Sequence, residues 1–289
     1  MVKRAGVRDS ALTIHGSLQA ERLGKFLANT GLTFTHIFVS DLQRAVKTAD
    51  AIRSWTNAIQ PGSKLELTKV KLLREQDFGF YEGKPFYARP RDSSKSGKEN
   101  HRSHHQDDPG FQDVESKESM AHRMDEFLRD HLVPLIYKEA GSKGKAIAMV
   151  SHGIILTHLW RRFLGMLGKG SVSVSPGISF GSGAPAPLES LGGWSNTGYL
   201  ELEVLTKSQA ETTNRSGSEP SSKSHDKGNP SSSALSMAKY RVCIKTVNGK
   251  THLQGLKRTK GGVGSAKFDE GQKSIDSFFK KRKRKDGED

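Results

Sequence analysis

Five apolar residues in a row, Ala146-Ile147-Ala148-Met149-Val150, run directly into Ser151-His152-Gly153, and the apolar spacing then turns helical at Ile155, Leu159 and Phe163. A run so short and so uniformly apolar reads as a strand buried on both faces, and the change of period puts a tight turn and a helix directly behind it. The same pattern occurs earlier in the chain. There Ile37-Phe38-Val39 is followed by Ser40 as an N-cap and by Leu42, Ala45, Val46, Ala49 and Ile52 as the apolar stripe of a helix. Strand-turn-helix units with short links predict an α/β fold, a three-layer α/β/α sandwich built on a mostly parallel sheet. Ligands of such folds collect at the carboxyl ends of the strands, where Ser40-Asp41-Leu42-Gln43-Arg44 and Ser151-His152-Gly153 both fall.

Other segments fit around these units. Residues 14–29 read as a helix capped by Thr13 and stopped at Gly31, and residues 65–73 as a further strand. Almost nothing from 89 to 108 is apolar, which predicts a surface loop or a disordered insert. A helix starting at Ser119 carries Met124, Phe127, Leu128 and Leu132 and is expected to close near Pro134. Residues 199–205 alternate as a strand, and a second strand runs from Tyr240 before the turn signal Asn248-Gly249. Between them, residues 207–233 hold no large apolar side chain, so this stretch is expected to be a disordered insertion between two strands of one sheet. The expected organisation is a domain over 1–206, an insertion over 207–238, a returning strand over 239–256 and a tail over 257–289.

Composition adds bounds. The chain has 289 residues, 34% of them apolar, enough for one core, but its mean hydropathy of −0.61 leaves much of it outside that core. Cys243 is the only cysteine, which excludes an internal disulfide, and with no signal-peptide pattern an intracellular protein is expected. The longest nearly apolar run is far shorter than the roughly 20 residues that span a bilayer, so no membrane partner is expected. Basic residues outnumber acidic ones by 46 to 31, and the last 51 residues alone carry 15 basic against 6 acidic. The tail, not the body, holds the charge, which points to a targeting signal or a solvated arm.

Five motifs stand in a fixed order: Leu12-Thr13; Ser40-Asp41-Leu42-Gln43-Arg44-Ala45 with Thr48-Ala49; Leu73-Arg74-Glu75 with Phe78-Gly79 and Glu82-Gly83; Glu118-Ser119; and Val150-Ser151-His152-Gly153. Together they resemble the histidine phosphatase superfamily, the phosphoglycerate-mutase-like enzymes. The resemblance implies a phosphorylated substrate and a histidine that is transiently phosphorylated, in a site that must stabilise charge on three phosphoryl oxygens. By the same resemblance Arg44 binds phosphate through its planar fork, His152 is the second histidine of the site, and Glu75 is the acid that protonates the leaving oxygen. The family's nucleophile lies in an Arg-His-Gly at the end of its first strand, and no such tripeptide occurs in this chain. His15 does not replace it, because it falls in the helix after Thr13. The expectation is therefore a phosphomonoester hydrolase that lacks its first strand, is inactive as it stands, and becomes active when that strand is restored upstream of Asp9. The alternative is a non-catalytic nuclear binding protein whose tail carries the function.

That tail contains Gln272, Ile275, Phe278 and Phe279, the last three at i, i+3, i+4, which on one helical turn gathers three apolar side chains into a plug. The arrangement resembles the peptide that binds the replication sliding clamp. Lys280, Lys281, Arg282, Lys283, Arg284 and Lys285 follow at once and read as a nuclear import signal, implying an import receptor, a nuclear location and, at most, nucleic-acid contact through the tail. No cofactor or metal is expected: His101, His104 and His105 stand in a polar insert without a partner cysteine. The glycine-rich stretch 260–267 lacks the strand and the lysine of a nucleotide loop, and no Gly-x-Ser-x-Gly elbow surrounds Ser151.

Overall fold

Thr13 adopts an extended backbone and its Oγ1 accepts the N–H of Gly16 at 3.1 Å, which starts helix α1 (Ile14–Ala28) where the sequence places it. The protein is seen here in a computed structural model that describes residues 6–60, 62, 64–84, 105–139, 142–178, 188–191, 193–206 and 237–257. The candidate tail residues Gln272, Ile275, Phe278 and Phe279, the basic run 280–285, the glycine-rich stretch 260–267 and most of 89–108 and 207–238 lie outside the described residues. Replacing the Thr13 hydroxyl leaves one helix-end N–H without its partner, so Thr13→Ala is expected to lower unfolding stability by about 1 kcal/mol in a denaturant titration.

Strand β1 (Thr33–Val39) leads to helix α2 (Gln43–Ile59). Ser40 is not its cap. The cap position is Leu42, which offers no side-chain acceptor, and the Oδ1 of Asp9 takes the N–H of Gln43 at 2.8 Å instead. Ser40 itself is wholly buried and faces the site described below. Of residues 65–73 only Leu67–Lys69 form a strand, β2, after which Lys71–Leu73 wind into a 3₁₀ turn.

Helix α3 (Lys117–Phe127) begins two residues before Ser119, because Ser116 is the cap and its Oγ accepts the Ser119 N–H at 3.0 Å. Pro134 does not end the helical run. A π turn over Leu128–Leu132 intervenes, and α4 (Val133–Glu139) continues with Pro134 as its second residue. Proline lacks an N–H and crowds the carbonyl four residues back; the wider turn relieves that crowding and places the missing donor where a new helix has unpaired donors anyway. Then follow β3 (Lys145–Val150), α5 (Gly153–Met166), β4 (Val172–Val174), β5 (Tyr199–Thr206) and β6 (Tyr240–Gly249). No described helix is long and apolar enough to cross a membrane.

Among the described residues the strands form two three-stranded sheets, where one mostly parallel sheet was expected. The first, in the order β2-β1-β3, is parallel throughout. The second, β4-β6-β5, is mixed, with β4 parallel and β5 antiparallel to β6. Among the described residues β3 pairs with β1 alone and β5 with β6 alone, so the sheets meet through side chains and not through a shared ladder.

Among the described residues two apolar clusters hold the elements together. Leu23 of α1, Ala45, Ala49 and Ile52 of α2, and Phe34, Ile37 and Val39 of β1 form the smaller one. The larger joins Phe38 of β1, Met120, Met124 and Phe127 of α3, Ile155, Leu159 and Phe163 of α5, and Val242 and Ile244 of β6. Phe38 points opposite to Ile37 and Val39, as the pleat requires. Phe34 would share the side of Phe38 were it not for a register shift between Phe34 and His36, which turns it to the other side. Because β1 and β3 run parallel and in register to Val39 and Val150, their exits are held side by side; the N–H of Ser40 donates to the Val150 carbonyl at 3.0 Å.

Candidate active site

Ser40, Asp41 and Arg44 leave the end of β1, Ser151 and His152 leave the end of β3, and Arg74 and Glu75 follow the 3₁₀ turn behind β2. Arg44 and His152 meet directly: the Nε–H of Arg44 donates to Nδ1 of His152 at 3.3 Å. A guanidinium can only donate, so Nδ1 is bare, and in the neutral ring the proton sits on Nε2 and goes to Ser40 Oγ, 2.9 Å away. Burial, reinforced by the charges of Arg44 and Arg123, pushes the His152 imidazolium down to about 3, so the ring is neutral near pH 7. Burial also lowers Arg44 from its ordinary value, opposed by the carboxylates of Glu75, Asp9 and Glu82.

The outer nitrogens of Arg44 hold the leading segment. Nη2 donates to the Gly6 carbonyl at 2.6 Å and Nη1 to that of Arg8 at 3.1 Å. Glu82 grips the same segment by its other edge, its carboxylate accepting the N–H groups of Gly6, Val7 and Arg8 at 3.0 to 3.3 Å. Only glycine fits at position 6, where a Cβ would collide with the Gln76 carbonyl and Glu82.

Glu75 lies at the amino end of α5. Its oxygens accept the N–H groups of Ile154 and Ile155, each at 3.2 Å, and that of Gln76 at 3.0 Å, which is where a helix favours an anion. Arg74 makes a two-oxygen pair with Asp41 at 2.7 and 2.6 Å, which holds the Asp41 carboxyl below its usual range against the opposing effect of burial. Beside Glu75 opens a cleft of about 340 Å³ lined by Lys71, Arg74, Asp77, Asp113, Glu115, Ser119 and Arg123 among others.

The three predicted site residues thus converge on one sheet edge, with His152 and Arg44 in contact and Glu75 against the helix that His152 begins. Several partners were not assigned from sequence. Ser40 reads as a cap, yet serves as the acceptor for His152. The helix-start motif is Glu115-Ser116 and not Glu118-Ser119: Ser116 caps α3, and Glu115 takes Arg123 in a two-oxygen pair at 2.8 Å. The spacing that could have shown this is the arginine seven residues after the capping serine, on the face of the helix that also carries Met120, Met124 and Phe127. Among the described residues no group of three or more His, Cys, Asp or Glu side chains could hold a metal ion.

A sequence profile of the histidine phosphatase superfamily (branch 1) matches residues 2–171, and the chain belongs to that family. A probable phosphatase of Schizosaccharomyces pombe is 28% identical over 288 residues, 96% of this chain and 74% of its own length. A fructose-2,6-bisphosphatase, TIGAR B of Danio rerio, is 42% identical over 77 residues, which cover 27% of this chain and 28% of that protein. The solved structure of a mycobacterial glucosyl-3-phosphoglycerate phosphatase with inorganic phosphate covers 86% of this chain and 93% of its own, with a TM-score of 0.50 at 17% identity, a likeness of fold.

Proposed function

We propose that this chain carries the phosphate-binding half of a phosphomonoesterase site, working by hydrolysis and not by mutase transfer. The observation that carries this reading is the pairing of Arg44 with a buried, neutral His152 at the exits of two parallel strands. A phosphoryl oxygen takes over the Nη1–H that Arg44 gives to the exposed Arg8 carbonyl, and a second oxygen takes over the Nε2–H that His152 gives to Ser40. Glu75 stands on the leaving-group side, where the cleft begins, and hands to the departing oxygen a proton that it first takes up from water in the cleft. The helices α1 and α2 form one layer, and α3, α4 and α5 the other, around the strands. The nucleophile is a histidine of an Arg-His-Gly strand that this sequence does not include.

Two measurements test the reading. Calorimetric titration of the chain with inorganic phosphate should show binding that weakens roughly tenfold in Arg44→Lys, which keeps the charge but loses the fork. A fusion that supplies an Arg-His-Gly strand should turn over p-nitrophenyl phosphate and lose that activity on His152→Ala, whereas the unfused chain stays inactive. Turnover that survives His152→Ala sinks the assignment.

A second reading rests on the tail. The spacing of Gln272, Ile275, Phe278 and Phe279 supports recruitment to the replication sliding clamp, and the basic run 280–285 supports nuclear import through a receptor. In this reading the domain is a nuclear scaffold whose tail carries the function. Replacing both phenylalanines by alanine should abolish co-purification with the clamp, and deleting 280–285 should leave a fluorescent fusion outside the nucleus; unchanged behaviour of either overturns that part.

A further inference from the structure

We infer that residues 6–8 form a self-inhibitory strap, which holds Arg44 in the free protein and must swing away before phosphate binds at full strength. This rests on the phosphate site proposed above and deepens it by naming how that site is regulated.

Oxygens of the chain itself already sit on the donors that a phosphate would use. Arg44 Nη2 donates to the Gly6 carbonyl at 2.6 Å and Nη1 to the Arg8 carbonyl at 3.1 Å. Each outer nitrogen has a second hydrogen, so the strap opposes phosphate by charge and not by filling every donor. Two carbonyl dipoles turn their negative ends on the guanidinium, and Glu82, the carboxylate that holds the strap, lies close enough to act on Arg44 as well. A phosphate dianion arriving at Arg44 meets all three as negative neighbours.

The strap can move without unravelling an element. Residues 6–8 belong to neither a helix nor a strand, and side chains seat them, Arg44 on the carbonyl side and Glu82 on the N–H side. The next residue is pinned: Asp9 Oδ1 takes the Gln43 N–H at 2.8 Å at the start of α2, which makes Asp9 the hinge. Val7 also lines the cleft beside Glu75, so a strap that leaves Arg44 removes part of the cleft wall with it. A ligand that prefers the released form binds with an apparent affinity reduced by the fraction of molecules released.

The test is calorimetry of the full chain with inorganic phosphate. Gly6→Ala changes no charge, but the methyl group it introduces collides with the Gln76 carbonyl and with Glu82, so the strap cannot seat. Phosphate should bind this variant roughly tenfold more tightly than the unaltered protein, as when the released form rises from about a tenth of the molecules to nearly all. A second measurement needs no substitution. Saturating phosphate should speed amide hydrogen exchange at residues 7 and 8, whose N–H groups donate to Glu82 at 3.0 and 3.3 Å in the seated strap. Affinity that is equal or weaker in Gly6→Ala overturns this inference alone, and so does exchange that phosphate leaves unmoved. Absence of phosphate binding in both proteins overturns the phosphate-site reading, and this inference with it.

Discussion

Arg123→Met is expected to lower unfolding stability by about 3 kcal/mol, because it strands a carboxylate whose partners are mostly buried. The Arg123 side chain is 19% exposed and that of Glu115 12%, so the pair is far from the surface condition in which ion pairs are worth little. Burial alone would raise the Glu115 carboxyl. The hydrogen bonds from Arg123, from the Asp77 N–H and from Ser119 more than reverse it and hold the group below its ordinary value. Arg123 also donates to the Leu72 and Arg74 carbonyls, tying α3 to the backbone that presents Arg74 and Glu75. Loss of the guanidinium therefore loosens the segment that delivers Glu75 to α5. The check is a urea titration of Arg123→Met, Glu115→Gln and the double variant. The double variant should lose clearly less than the two single losses combined, since no unpaired charge then remains. A single-variant loss under about 1 kcal/mol, or additive losses, would show the pair to be weakly coupled.

How far the sequence reveals this arrangement depends on the range over which each signal acts. The cap at Thr13 and the stripe behind it are local, and α1 lies where they put it. The runs ending at Val39 and Val150 identify their strands because neither shows polar alternation, although the expected full burial holds only at the end of β1, and Ala146–Val150 of β3 is half-buried throughout. Ser40 misleads for a local reason as well: serine before an apolar helical stripe has the composition of an N-cap, and only the approach of β3 shows that its hydroxyl belongs to His152. Glu115-Ser116 and Glu118-Ser119 are the same dipeptide three residues apart, and which serine caps α3 is decided by the partners Arg123 and Asp77, contacts made over longer range. Pro134 is read correctly as a helix breaker in isolation. The π turn before it, stabilised by Leu128, Leu132 and Val133 in the larger core, overrides that preference. The division into two sheets leaves no local trace, because Val172–Val174 is too short to announce a strand and pairing is a long-range property.

The stability of the protein is expected to fall from neutral pH towards pH 5 through His152. Its folded-state value is about 3 against an ordinary 6.5, so between these limits the unfolded chain binds a proton that the folded one does not. The contribution is complete above 6.5 and is lost as the pH drops, at up to about 1.4 kcal/mol per pH unit. Burial lowers His158 and His252 as well, and these add a loss of the same sign in the same range. Asp41 and Glu115, with lowered carboxyls, contribute stability that is lost only at more acidic pH, below their ordinary values of 3.8 and 4.5. The quantity that isolates His152 is therefore the difference between the unaltered protein and His152→Gln, whose amide keeps a donor for Ser40 but does not titrate. That difference should shrink by about 2 kcal/mol between pH 7 and pH 5 in parallel denaturant titrations. Curves that stay parallel over this range would mean that His152 is not held neutral by its burial and by Arg44, and the hydrogen-bond assignment at Nδ1 would go with it.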